Sequence, residues 1–209
     1  MEISITRGLA ELKTLDARIN KVINESSFIS MTTGKKVLAG YQSNFQFEDK
    51  AKSNYQSVQD LIKRRNAIKA AIVQSNAVTK VNVADKEMTV AEAIERKTSI
   101  IYEQNLVNKM KIEFVNVIRR YEQEDEKVKE RLDELLKTTF GKDVKVSNDQ
   151  YDSTAKPFLE QNEPKLIDPL KLKDEIDKIE KNIEDFLMNV DFVLSESNTI
   201  TKIIIPDSI

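Results

Sequence analysis

From Val90 to Phe140 the chain passes without a single Gly or Pro, so the two residues that most readily end or kink a helix are missing over the whole stretch. Val90, Ile94, Ile101, Val107, Met110, Phe114, Val117, Tyr121, Val128 and Leu135 mark one helical face along it. The pattern predicts a helix from Val90 to roughly residue 138, about 72 Å long at 1.5 Å per residue. Its start is set by Thr89-Val90-Ala91-Glu92, the spacing of a capping box. Such a rod is too long for a compact globule and is expected to act as a spine.

Only 4 Gly and 4 Pro occur in 209 residues, with 33% charged and 6% aromatic residues, a balance that suits long helices rather than a Gly-rich barrel or sandwich. With no Cys and no His, thiol catalysis, disulfides, imidazole acid–base chemistry and ordinary zinc or haem ligation all lack their groups. Lys and Arg number 33 against 35 Asp and Glu, a formal net charge of -2. No global field therefore draws the chain to nucleic acid or to an acidic membrane, and such contact would need a local patch. The opening MEISITRGLAELK lacks a basic segment followed by an apolar block, and no run of about 18 apolar residues exists. The expectation is a protein of the cytoplasm or of a virion, not secreted and without a membrane partner.

Three further helices read from the same periodicity. Ile5, Leu9, Leu12, Ile19, Val22 and Ile23 mark one over residues 5–24, with Ser4 or Thr6 as N-cap. Ala51, Tyr55, Val58, Ile62, Arg65, Ile68 and Ile72 mark a second over 47–75. Leu172, Ile176, Ile179, Ile183, Phe186, Val190 and Val193 mark the last, opened by Asp168-Pro169 as N-cap and first helical residue and ending near Ser195. Residues 26–46 lose the period and read as an irregular loop or a loose hairpin of Phe28–Met31 with Val37–Tyr41. Residues 139–168, with Gly141, Pro157 and Pro164, read as a long arm.

Ser75-Asn-Ala-Val-Thr-Lys-Val-Asn-Val83 recurs as Ser197-Asn-Thr-Ile-Thr-Lys-Ile-Ile-Ile205. The bland reading is shared helix-exit chemistry, since Ser-Asn is a common stop and Val/Ile alternation suits any strand. The sharper one makes the tail after Asn198 a strand beside Val81, because an isolated two-stranded hairpin is marginal in water. On it the fold is mainly α, one elongated domain over 1–209. An antiparallel helical bundle or coiled coil is capped at one end by a three-stranded sheet of residues 78–83, 87–90 and 200–205. The distal half of the spine is then thinly covered, which makes Phe114, Val117, Tyr121, Val128, Leu132 and Leu135 candidates for an oligomer interface.

Local chemistry is sparse. Lys63, Arg64, Lys69 and Lys80 form the one basic cluster, a possible nucleic-acid face or simply a solvated helix surface. Thr33-Gly34-Lys35 fails as a phosphate loop, since Ile29 and Lys36 stand where Gly and Ser or Thr are needed. Glu122, Glu124, Asp125 and Glu126, like Asp174, Glu175 and Asp177, lack the spacing and turn Gly of a calcium loop and sit among lysines, as on an exposed helix. No nucleophile has an identifiable base, so no catalytic residue, cofactor, metal or small-molecule substrate is assigned.

Three stretches carry a resemblance. ITRGLAELKTLDARI at 5–19, RRNAIKAAIVQSNAVTKV at 64–81 followed by MTVAEAIERK, and DPLKLKDEI at 168–176 with LSESNTITKI cover 62 of the 209 residues. In these it resembles a family of small helical coiled-coil proteins of bacteria and phages, some labelled septicolysin-like. The resemblance implies a phage or prophage setting, as a virion or assembly component, and carries over no catalytic residue. The expected role is a non-enzymatic structural protein that is a homo-oligomer or binds other structural proteins. The alternative is a phage-encoded regulator engaging a host protein or nucleic acid through the 139–168 arm or the Lys63–Lys69 face.

Overall fold

The computed structural model describes residues 1–141 and 147–206. Along them run β1 (Glu2–Ser4), α1 (Ile5–Glu25), α2 (Asn44–Val78), β2 (Lys80–Val83), β3 (Lys86–Thr89), α3 (Val90–Phe140), α4 (Asn148–Asn162), α5 (Leu172–Ile200) and β4 (Lys202–Ile204). The protein is mainly α, a helical bundle with small sheets. Its contacts divide it into two compact units, residues 1–98 with the chain from Asp185 onward, and residues 99–184.

The first unit holds two antiparallel two-stranded sheets, and the three-stranded sheet expected from the sequence does not form. β2 and β3 pair as the hairpin anticipated, Val81 opposite Met88. The C-terminal tail is a strand, but it lies beside the first residues of the chain rather than beside Val81. Ile3 faces Ile203 and Ser4 faces Lys202, while the Met1 ammonium donates to the Ile205 carbonyl at 2.8 Å and the Ile205 amide donates back to Met1 at 2.9 Å. The register explains the choice: it sets Ile3, Ile203 and Ile205 on one face of the ribbon, where all three are buried with Ile5, Leu12, Leu15, Ile68 and Ile72. Three residues are too few to show a strand period, so Glu2–Ser4 reads from sequence only as the approach to α1.

The echo between residues 75–83 and 197–205 is structural. The Thr79 amide donates to Ser75 at 2.9 Å and the Thr201 amide to Ser197 at 2.8 Å; the Val90 amide reaches the Thr79 carbonyl at 2.9 Å and the Ile5 amide the Thr201 carbonyl at 3.0 Å. Ser4 caps α1 by accepting from the Arg7 amide as Thr89 caps α3 by accepting from Glu92. Each ribbon thus receives one helix and launches another. The correspondence extends to the helices, because Glu11 on α1 pairs with Arg64 on α2 at 2.9 Å where Arg96 on α3 lies 5.0 Å over the Phe186 ring of α5. Gly8 and Ala93 are also equivalent. A Cβ on Gly8 would come within 3.3 Å of both Ile72 and Ile203, a tight fit where the second ribbon accommodates a buried methyl.

Several boundaries differ from the periodic reading. α2 starts at Asn44 because Ser43 accepts from the Gln46 amide, and residues 26–43 contain turns but no strand. α5 starts at Leu172: Lys171 has φ 52, interrupting the helix after Asp168-Pro169, while both Asp168 carboxylate oxygens accept from the Leu172 amide. Within the 139–168 arm, residues 142–146 lie outside the described residues, and residues 148–162 form α4. A full capping box between Ser147 and Gln150 starts it, and Pro157, which withholds the N–H that would reach Ser153, does not break it.

Two stability outcomes follow. Ile205→Ala should cost about 3 kcal/mol, as expected for emptying a fully buried aliphatic site, read from urea unfolding; a loss under about 1 kcal/mol would mean that the β1–β4 ribbon is not part of the cooperative core. Ala84 and Asp85, the two-residue turn of the other ribbon, both have left-handed backbones with φ 51 and 60. Replacing them by Asn-Gly should raise stability by about 1 kcal/mol, since that pair suits a left-handed turn without a side-chain penalty.

Candidate interaction surface

The six residues read as an exposed stripe on the spine do not share one environment. Val128 and Leu132 are 2% and 8% exposed within the single chain, and Phe114, Tyr121 and Leu135 are half-buried. Unpredicted α4 contributes here: Arg131 of α3 lies 6.0 Å over its Phe158 ring and Ala155 is buried. The distal stripe thus lacks the bare flank that the sequence implied.

Phe114 and Val117 instead help to form an open groove of about 320 Å³ within the 99–184 unit. One wall is α3, with Phe114, Val117 and Ile118; the other is the segment Leu166-Ile167 and Leu172 at the start of α5. Its polar rim holds Glu113 and Asp168 against Arg120. Ile167 is 91% exposed, and Leu170, Ile112 and Val115 are exposed as well. Periodicity misses this site because half of it lies in a non-helical segment that follows α4, although an apolar Leu-Ile pair directly before Asp168-Pro169 is a visible signal.

The basic residues do not converge on an uncompensated surface. Arg64 is held by Glu11, Arg65 by Asp16 at 2.5 Å, and Lys80 by Glu87 at 2.7 Å. The hydrogen bond that the Lys80 ammonium donates to Glu87, then the charge of that carboxylate, raises the Lys80 pKa. Lys63 and Lys69 are exposed on α2. The acidic runs behave as solvated helix faces, with Glu124 paired to Lys127 and Asp125 to Lys129. Among the described residues, no group of three or more acidic side chains could hold a metal ion, no polar or charged residue is buried as a whole, although the Asn76 side-chain oxygen is buried without a hydrogen-bond partner, and no helix is long and apolar enough to cross a membrane. A second recess, lined by Asn82, Asp85, Asp185 and Asn189, is polar and open.

Glu92 has its pKa lowered, first by the Thr89 backbone amide and then by the Thr89 hydroxyl, both of which donate to its carboxylate. A depressed folded-state value contributes stability above the unfolded value, near 4.5, and that contribution is lost as pH falls through the folded value below it. Wild type should therefore exceed Glu92→Gln in urea midpoint at pH 7, with the gap closing below about pH 4. A gap that does not change with pH would remove the charged cap from the account.

Against this geometry, no protein-family model, no curated protein and no solved structure matches the chain.

Proposed function

We propose that the protein is a non-enzymatic structural or assembly component, set in a phage or prophage, that works by self-association through its helical surfaces. The phage setting rests on the resemblance of residues 5–19, 64–81, 88–97, 168–176 and 194–203 alone. The observation that carries self-association is the apolar groove between Phe114, Val117 and Leu166-Ile167, open to water in the single chain. Apolar surface left this way is a standing drive to bind another chain. The alternative, a regulator that engages a foreign protein, has the same groove in its favour, because Leu166, Ile167 and Asp168 belong to the 139–168 arm. Pairing of Arg64, Arg65 and Lys80 with carboxylates weakens the nucleic-acid version of that alternative.

Light scattering at tens of micromolar should give a mass of at least twice the 24.0 kDa chain. Val117→Asp, which puts a charge on the groove wall, should weaken association by at least about tenfold. A strict monomer at that concentration would overturn self-association, and a stable foreign partner lost on the same substitution would favour the regulator.

A further inference from the structure

One outward face of α3 changes character along its length. From residue 119 onward it is charged, with Arg119, Glu122, Glu126, Lys129 and Asp133 all exposed at alternating three- and four-residue steps. The same steps traced back from Arg119 give Val115, Ile112, Asn108, Asn105 and Ile101, which are exposed as well and carry no charge. Ile112 and Val115 are 60% and 62% exposed, while Val107 and Met110 fill the buried face of the same stretch. In a chain that is 33% charged, this face thus omits charge over about 21 Å, from Ile101 to Val115, and restores it beyond. The mean step of 3.5 residues is that of a coiled-coil seam. Among the described residues nothing covers it.

The order of the side chains points to the occupant. Ile101, Asn105, Asn108 and Ile112 read the same in both directions, and the sequence extends the palindrome with Thr98 and Val115, two β-branched side chains of nearly equal size. Given the self-association proposed above, on which this step rests, we infer that α3 packs antiparallel on α3 of a second copy along this seam, about a twofold axis between Leu106 and Val107. Ile101 then meets Ile112 of the second copy and Asn105 meets its Asn108, each contact made twice by symmetry. Every asparagine finds an amide partner, whereas sliding one helix by a heptad sets Asn against Ile and leaves an amide unpaired. A parallel pair would also match the asparagines, but it would set Arg119 on Arg119, Glu122 on Glu122 and Glu126 on Glu126. The antiparallel pair carries those like charges apart. The lysines beside the seam do not decide the direction, because Lys109 and Lys111 are paired with Glu113 and Glu180 of their own chain. The contact closes on itself and uses neither Phe114 nor Val117, so the groove of each copy stays open.

The absence of Cys allows a direct test on the full chain, and the exposure of the seam means that its residues can be replaced without emptying a core site. Ile101→Cys and Ile112→Cys variants are mixed under mild oxidant at tens of micromolar. The mixed 101–112 disulfide should form at least about tenfold faster than either homodisulfide, because in this register the two copies of residue 101 lie about 16 Å apart along the axis. Asn105→Ile, which sets Ile against Asn108 of the second copy, should weaken the dimer at least about tenfold in sedimentation equilibrium, and adding Asn108→Ile should restore it. Faster 101–101 and 112–112 products would mean a parallel pair, and equal rates for all three would mean no register; either result, or failure of the double substitution to rescue, overturns the inference. An oligomer that survives Ile101→Glu with Ile112→Glu but not Val117→Asp would leave self-association standing and move it to the groove. A monomer throughout would remove both.

Discussion

The first unit depends on the pairing of β1 with β4. Ile3, Ile203 and Ile205 reach the core only because the ribbon holds them on one face, and that face covers Ile68 and Ile72 of α2 next to Leu12 and Leu15 of α1. Gly8 permits the approach: with no side chain there, the ends of Ile72 and Ile203 close over the first turns of α1. Two short segments at opposite ends of the sequence thus help to determine how α1 meets α2. The partly buried Glu11–Arg64 pair further along is then a consequence of that packing rather than its cause.

Where periodicity had enough turns to work with, the helices were readable. The run from Val90 to Phe140 and the Thr89–Glu92 box give α3 its start and nearly its end, and the alternation from Lys80 to Val83 gives β2 its buried face. The failures have physical causes. β1 is three residues long, below the length at which alternation is visible. α4 carries Pro157 in its interior, and its Ser147–Gln150 cap lies in a stretch otherwise read as an arm. Lys171 adopts a left-handed backbone that a sequence of Asp-Pro followed by a heptad does not announce. The echo was legible as sequence, but its meaning was not. The residues that match it at Met1–Ser4 share one side chain with Lys86–Thr89, Glu2 with Glu87, each paired with the lysine of its own copy, Lys202 and Lys80, beside the backbone pairing and a hydroxyl cap.

The candidate surface was legible in part. Phe114 and Val117 belong to the stripe, and the structure keeps them accessible in a groove, whereas Val128 and Leu132, on the same face of the same helix, are interior. Helical spacing reports which side chains share a face; it does not report which stretch of that face another segment covers. Leu166 and Ile167 enter the site only through tertiary placement.

The two ribbons place the same interaction at very different separations along the chain. Val81 and Met88 meet across a two-residue turn, whereas Ile3 and Ile203 meet only after everything between them has been brought back. Loop-closure entropy therefore lets the first ribbon form early and makes the second a late event in folding. The reverse path has the same asymmetry. Local opening should release the outermost strands together while the turn-linked hairpin stays protected, so slow amide exchange at Val81 alongside faster exchange at Ile203 would be the kinetic imprint of a motif made once with a covalent bridge and once without.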